Sequence, residues 1–420
     1  MAASSHTIQY TGDGQSGVWN DPANWAGSLV PGPADTAVIG MNATLNGSVE
    51  VSNLMLLGVE TDTINGAIKT DSTNVCESFM VCEGAVANFT AGASLHSAGG
   101  FDIGIDASGT VNIAAAANGK AAAAVNTVVM KVGQDDQGVG TVNVAGTLTA
   151  STEAYVGLDG QGVMNVTGSG QANLGDLKLG YQSGAAGTLA MSGTSAVNVA
   201  GWLTIGTSVS GAPGGTGTVT VGGSSTLYCD HSTFVYAGSS VTLAGGLLSQ
   251  GPDGMGLQIN QGGTVSGHGT ISSAVHGVAD NGTLEASGGT LLINGNINGM
   301  GVLRIGSGAT LDLNSSKIGV ASISFLGSND TLGLAAGVAG VTLTGFAIGD
   351  EIVMSGVNGV SWNGSTDVLN LTENGHLVDQ MTLSGVAANA AFHVTSGSSG
   401  SVISMMATQQ TQGFVVSQHH

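Results

Sequence analysis

The sequence predicts an all-β chain: a right-handed, single-stranded parallel β-helix (a solenoid) with a cap at each end. Three observations carry that prediction. Glycine supplies 72 of 420 residues, about one in six where ordinary proteins have about one in fourteen. Charged residues make up only 8% and aromatics 4%, yet the chain is 42% hydrophobic with regular apolar alternation, which argues against both disorder and helix. A short apolar strand ending in glycine also recurs: LMLLG at Gly58, FDIG at Gly104, VMKVG at Gly133, AYVG at Gly157, LKLG at Gly180 and LTIG at Gly206. The segment FMVC supplies the member between Gly58 and Gly104, with Cys82 where glycine is expected, so the steps are 24, 22, 29, 24, 23 and 26 residues.

A second ladder runs beside the first, in GTVNVAG from Gly140, GVMNVTG from Gly162, GTLAMSG from Gly187 and GTVTVGG from Gly217. Units of this length with two or three strands cannot bury a core alone; they do so by stacking. Inward Val, Leu, Ile and Ala fill the shaft, and outward Thr, Ser and Asn tolerate a like neighbour about every 4.8 Å. A sandwich or propeller would carry an aromatic core or blade signature that is missing.

Taken in order, residues 1–50 read as an N-terminal cap leading into the first coils. Trp19 and Trp25, half of the four tryptophans, either plug the end of the helix or offer a sugar-stacking platform. Residues 51–335 read as the β-helix proper. The 29-residue step holds the alanine-rich insertion Ala114 to Ala124, expected to loop out from one face or to form a short helical turn. Beyond residue 240 the coils tighten. Residues 336–420 read as terminal coils and a C-terminal β cap or appendage, since an open solenoid end exposes apolar rungs and strand edges.

Charge excludes several functions. Six Lys plus Arg against 27 Asp plus Glu leave a net charge of −21, so there is no basic track for nucleic acid or for an anionic membrane surface. No run of 18 apolar residues is present, so no membrane insertion by this segment is expected. Lowering the pH discharges the carboxylates, which favours self-association. Three cysteines cannot pair fully; Cys76 and Cys82 either close a small local loop or remain free thiols.

One column has chemical interest. Two residues after the ladder glycines stand Glu60, Asp106, Asp135 and Asp159, then Gln182 and Ser208, with Gly84 in the Cys82 rung. In register, Asp135 and Asp159 lie about 5 Å apart, with Asp136 beside them. Such carboxylates suit three roles: capping of turn N–H groups, a calcium site using Asp106, Asp135 and Asp159, or a catalytic pair on a polysaccharide. Lys131 and Lys178 are the only cations near this column. His231, in LYCDHSTF, suggests Cys–His or Asp–His chemistry, but strand alternation sets Asp230 on the other face from Cys229 and His231, and no further metal ligand is evident. No other cofactor is implied.

Gly17, Trp19, Asn24, Trp25, Gly27, Pro31, Asp35, Thr36, Ala37 and Ile39 form an opening that, with slack in the spacings, resembles that of passenger-like β-helical proteins related to bacterial autotransporters. The GTLxxxG and LxIG units resemble their repeats. Leu343, Thr344, Gly345, Phe346, Gly349, Asp350 and Ile352 resemble the run that closes such passengers. The resemblance implies export to the surface of a Gram-negative bacterium, particularly of alphaproteobacterial or acetic-acid type. It also implies a role as adhesin or biofilm component, with glycans or other cell-surface proteins as partners. In true autotransporters a membrane β-barrel follows the passenger; no closing array of amphipathic strands with aromatic girdles is seen here, which leaves the export route open. The family motifs are structural and carry over no catalytic residue. The expected function is an extracellular structural or adhesive rod. The alternative is a polysaccharide-degrading glycoside hydrolase or lyase on the same scaffold.

Overall fold

A computed structural model describes all residues except 1–4, 15–17, 71–77, 210–211, 321, 336–339, 398–399 and 407–420. Cys76 and Gly17 therefore lie outside the described residues. The chain is a parallel β-helix of three-strand coils, with the right-handed sense that parallel crossovers take. Its faces are named in the order in which the chain visits them.

The first face stacks Thr44–Leu45, Thr61–Ile64, Val86–Phe89, Ser108–Ile113, Val139–Val144, Gln161–Val166, Ala186–Met191 and Thr216–Gly222, and continues to Thr342–Thr344. The second face stacks Ser48–Val51, Ala67–Thr70 and Ser94–Ser97 and runs on to Glu351–Met354. The third carries Thr36–Ile39, Asn53–Leu56, Phe79–Val81 and Gly100–Ile103 and continues to Ile318–Gly319.

Strict two-residue alternation on the first face sends one column inward. It runs Val111, Val142, Met164, Leu189, Val219, Val241, Val265, Leu284, Leu303, Ile323 and Leu343, each paired with the next and fully buried. Each rung alone exposes these side chains; stacking removes them from water, which is why stability here is a sum of neighbour interfaces. Larger rings enter near the start, where Phe79 packs on Phe89 and Phe101 at 6.0 and 5.1 Å between ring centres.

The two glycine ladders meet at the corner between third and first faces. Gly104, Gly133, Gly157, Gly180 and Gly206 all have φ between +63° and +74°, a region open to glycine at little cost. Each donates its N–H to the coil below, as Gly133 does to the Ile103 carbonyl at 2.8 Å. The glycine that opens the next first-face strand packs directly on this corner. A Cβ on Gly140 would stand 2.5 Å from Gly133 N and 2.5 Å from Ile103 O. Where Cys82 replaces the ladder glycine it keeps the rung bond to Leu56 O, and the positive φ moves on to Glu83 and Gly84. Cys82 and Cys229 are free and buried.

On the outside of the first face four successive coils carry Asn at one position, and these form a ladder that ends where Ala190 follows Asn165. Asn112 donates to Asn88 at 2.7 Å, Asn143 to Asn112 at 2.7 Å and Asn165 to Asn143 at 2.8 Å. Replacing Asn143 by alanine removes two of these bonds and strands a half-buried partner on each side. The expected loss is about 1–2 kcal/mol, read as a lower melting temperature; an unchanged melt would deny the ladder a stabilising role.

The alanine-rich insertion is a turn and not a helix. Ala117 and Lys120 bridge each other across Asn118 and Gly119, both with positive φ, the conformation a tight two-residue hairpin demands. At the N-terminus, Asp21 caps a short 3₁₀ turn, Pro22–Asn24, through the Ala23 N–H. At the other end the pairing turns antiparallel: Gly359–Asn363, Val368–Glu373 and His376–Ser384 form a meander, and Gly400–Met405 pairs with Glu351–Met354. In the run that opens with Leu343, Phe346 packs between Phe325 and Phe392 at 5.1 and 6.2 Å. The Asp350 carboxylate accepts from the N–H of Asp330 and of Ala347. Among the described residues, no helix is long and apolar enough to cross a membrane.

Candidate functional site

The acidic column is placed first. Pairing of Val132 with Val156 sets Asp135 and Asp159 at matching positions after their strands. The Asp135 carboxylate, however, turns toward the coil below and accepts the backbone N–H of Asp106 at 2.9 and 3.1 Å. Asp106 sits at φ 56°, so this bond fixes a left-handed corner. Asp106, Asp136 and Asp159 are exposed. Trp19 and Trp25 are each 2% exposed and pack edge to face at 4.5 Å. The indole N–H of Trp25 donates to Trp19 O, and that of Trp19 to Pro31 O. Tyr10 packs on Trp25. Their faces are turned into the core, so they offer no platform to a sugar.

A cleft of about 430 Å³ lies elsewhere, at the bend between second and third faces. Here strands such as Thr147–Val156 and Gln171–Leu179 run continuously from one face to the next, with a register shift between Ala150 and Glu153. The residues at the bend are small, Ala150, Ser151, Gly175 and Ala200, so the surface is recessed there. One wall is the outward column of the second face: Thr149, Asn173, Asn198 and Tyr228, in register from coil to coil. Asn198 donates to Asn173 at 3.0 Å. Asp230 closes the upper end, its carboxylate held by the Tyr228 hydroxyl at 2.7 Å. That bond raises the Tyr228 pKa above its ordinary value.

Beyond the bend, the outward side of the third face carries rings and charges. Lys131, Tyr155, Lys178, Thr204 and Phe234 follow one another in register. Lys178 bonds Glu153 at 2.7 Å and stands over the rings of Tyr155 and Tyr181, at 4.9 and 5.3 Å from their centres. The hydrogen bond from Lys178 holds the Glu153 carboxyl below its ordinary range. Next to this group, Trp202 is 51% exposed. Its backbone N–H is fixed by Asp176 at 2.9 Å, and its ring meets Phe234, which in turn stacks with Tyr236. Below Tyr155, Lys131 lies 3.6 Å from the buried Asp102. Lys131 and Lys178 thus serve this face and not the acidic column.

The sequence-based reading of LYCDHSTF needs correction. The strand Thr226–Cys229 ends at Cys229, so Asp230 and His231 lie in a turn and strand alternation does not separate them. A further ligand-type residue comes from the next coil: Asp230, His231 and Asp253 bring one donor atom each within 4.8 Å of one another. Gly251 makes that approach possible, since a Cβ there would stand 2.5 Å from the Tyr228 hydroxyl.

Fold and site together define a parallel β-solenoid with a groove of apolar floor and one polar wall, flanked by an aromatic and ionic strip. No protein-family model matches the chain, and no curated protein matches it.

Proposed function

We propose that this chain is an extracellular structural or adhesive rod of a bacterial cell surface, resembling autotransporter passengers, and that it holds neutral glycan chains in the groove between its second and third faces. The observation that supports this reading is the groove's linear build: amide and hydroxyl side chains repeat at each coil along one wall, and the exposed ring of Trp202 stands on the other side. A sugar ring presents hydroxyls at its rim and an apolar face, which amides and an indole answer respectively. A short stretch of polymer suits a groove that runs along four successive coils. The charge of −21 repels polyanions and so favours neutral glycans.

Trp202→Ala is the direct test, because half of that side chain is already in water and its loss leaves the core intact. Affinity gel electrophoresis or titration against neutral bacterial and plant polysaccharides is expected to show binding by the wild type and at least ~5-fold weaker binding by the variant, in line with about 1 kcal/mol for one ring contact. Equal binding by both proteins would sink the groove reading. New reducing ends that vanish in Asp135→Asn would instead move the chain to the polysaccharide-degrading alternative.

A further inference from the structure

We infer that Asp230, His231 and Asp253 form a binding site for a first-row divalent metal ion of the Zn²⁺ class, at the upper end of the groove. The inference does not depend on the glycan reading. The three residues come from two successive coils. Asp230 and His231 occupy the turn between Thr226–Cys229 and Ser232–Val235, and Asp253 lies in the loop that follows Ser240–Gln250. Their donor atoms lie within 4.8 Å of one another.

Several features of the surroundings point to a ligand. Nδ1 of His231 is buried and has no hydrogen-bond partner among the described residues, a costly state for an imidazole nitrogen that coordination of an ion through Nδ1 would relieve. The neighbouring groups hold the donors in place. The Tyr228 hydroxyl pins one oxygen of Asp230, leaving the other for an ion, in the manner of outer-shell partners that orient metal ligands. His231 N donates to Gly201 O, which anchors its backbone to the coil below. On the coil above, the His276 ring bonds the carbonyl of Pro252 at 2.5 Å and braces the loop that presents Asp253.

The donor set selects the ion. One imidazole and two carboxylates suit a borderline cation, which takes nitrogen and oxygen together at four-coordinate geometry. Calcium prefers six to eight oxygens, which three residues including a histidine do not supply. The two carboxylates carry the charge that a divalent ion neutralises. Three protein donors leave a tetrahedral ion one further position for water or for a hydroxyl of a bound molecule. This site differs from the calcium site expected at Asp106, Asp135 and Asp159 in both place and chemistry.

Isothermal titration of the EDTA-treated chain with ZnCl₂ tests the inference. One ion per chain is expected, with Asp253→Asn and His231→Gln each weakening it at least ~10-fold, and CaCl₂ at equal concentration failing to compete. Asp253 is exposed, so its variant should melt like the wild type in EDTA; any loss of binding there reports the site and not the fold. Zinc is also expected to raise the wild-type melting temperature and to leave that of Asp253→Asn unmoved. Undiminished one-to-one binding in both variants would place the ion elsewhere. Failure to saturate below about 1 mM Zn²⁺, or displacement by equal calcium, would overturn the proposal outright.

Discussion

Gly140→Ala is expected to cost at least about 3–5 kcal/mol and to leave the chain partly unfolded at 37 °C, although it adds a single methyl group. The methyl has nowhere to go. It would meet Gly133 N at 2.5 Å, Ile103 O at 2.5 Å and Val132 Cγ1 at 2.6 Å, all well inside normal contact. Two of those atoms are backbone, and one of them donates the rung bond from Gly133 to Ile103. Relief therefore requires prising two coils apart, which breaks main-chain bonds and opens the core to water. Gly40→Ala is the control: its nearest neighbour to a new Cβ is the Leu57 carbonyl at 3.9 Å, so the change should be nearly neutral. Melting of the two variants side by side by circular dichroism separates packing at the corner from glycine's general entropy cost. A Gly140→Ala melt within a few degrees of wild type would mean that the corner yields, and the interlocked-glycine account would fall.

That corner is also where the sequence was most informative. The spacing of Gly104, Gly133, Gly157, Gly180 and Gly206 gave the coil length and register directly, because only glycine satisfies the positive φ and close approach together. The inward columns followed from period-two alternation. The groove was not legible in the same way. Its recess depends on where continuous strands bend, at Ser151 and Gly175, and no residue type marks a bend between faces. Asp253 could not be assigned to His231 because the two are brought together across a coil whose exact length sets the contact. Strand alternation does not reach Asp230, which stands one residue past the end of its strand. The aromatic and ionic strip did leave a signal. The residue two before the ladder position reads Met80, Asp102, Lys131, Tyr155, Lys178 and Thr204, and that column, not the one two residues after, collects the rings and cations.

Stability should rise as the pH is lowered from 8 toward 5, the reverse of ordinary acid denaturation. Asp62 is 1% exposed and Asp280 fully buried. Each accepts one backbone N–H, from Ala43 and Gly282 respectively, and each leaves Oδ2 buried without a partner among the described residues. Burial pushes the Asp62 carboxyl up to about 7 and that of Asp280 up to about 6; for Asp62 the charge of Glu60 adds to it. In the unfolded chain both titrate near 3.8. Between that value and the folded pKa the native state holds a proton that the unfolded state has lost, so stability falls as pH rises through the window. The contribution is complete below about 4 and is gone above about 7, and for Asp62 alone it amounts to a few kcal/mol. Asp35 and Glu153, whose carboxyls are held below their ordinary range, act in the opposite sense only at more acid pH. Relief of the general repulsion in a chain of net charge −21 works in the same direction as Asp62, so the slope alone does not identify the cause. Asp62→Asn does, because it keeps an acceptor for the Ala43 N–H and removes the ionisation while changing the net charge by only one. Urea midpoints for wild type should climb steadily from pH 8 to pH 5, and those of Asp62→Asn should climb less and start higher at pH 8. Parallel curves for the two proteins would assign the whole effect to general charge and leave the buried carboxyl without a part in it.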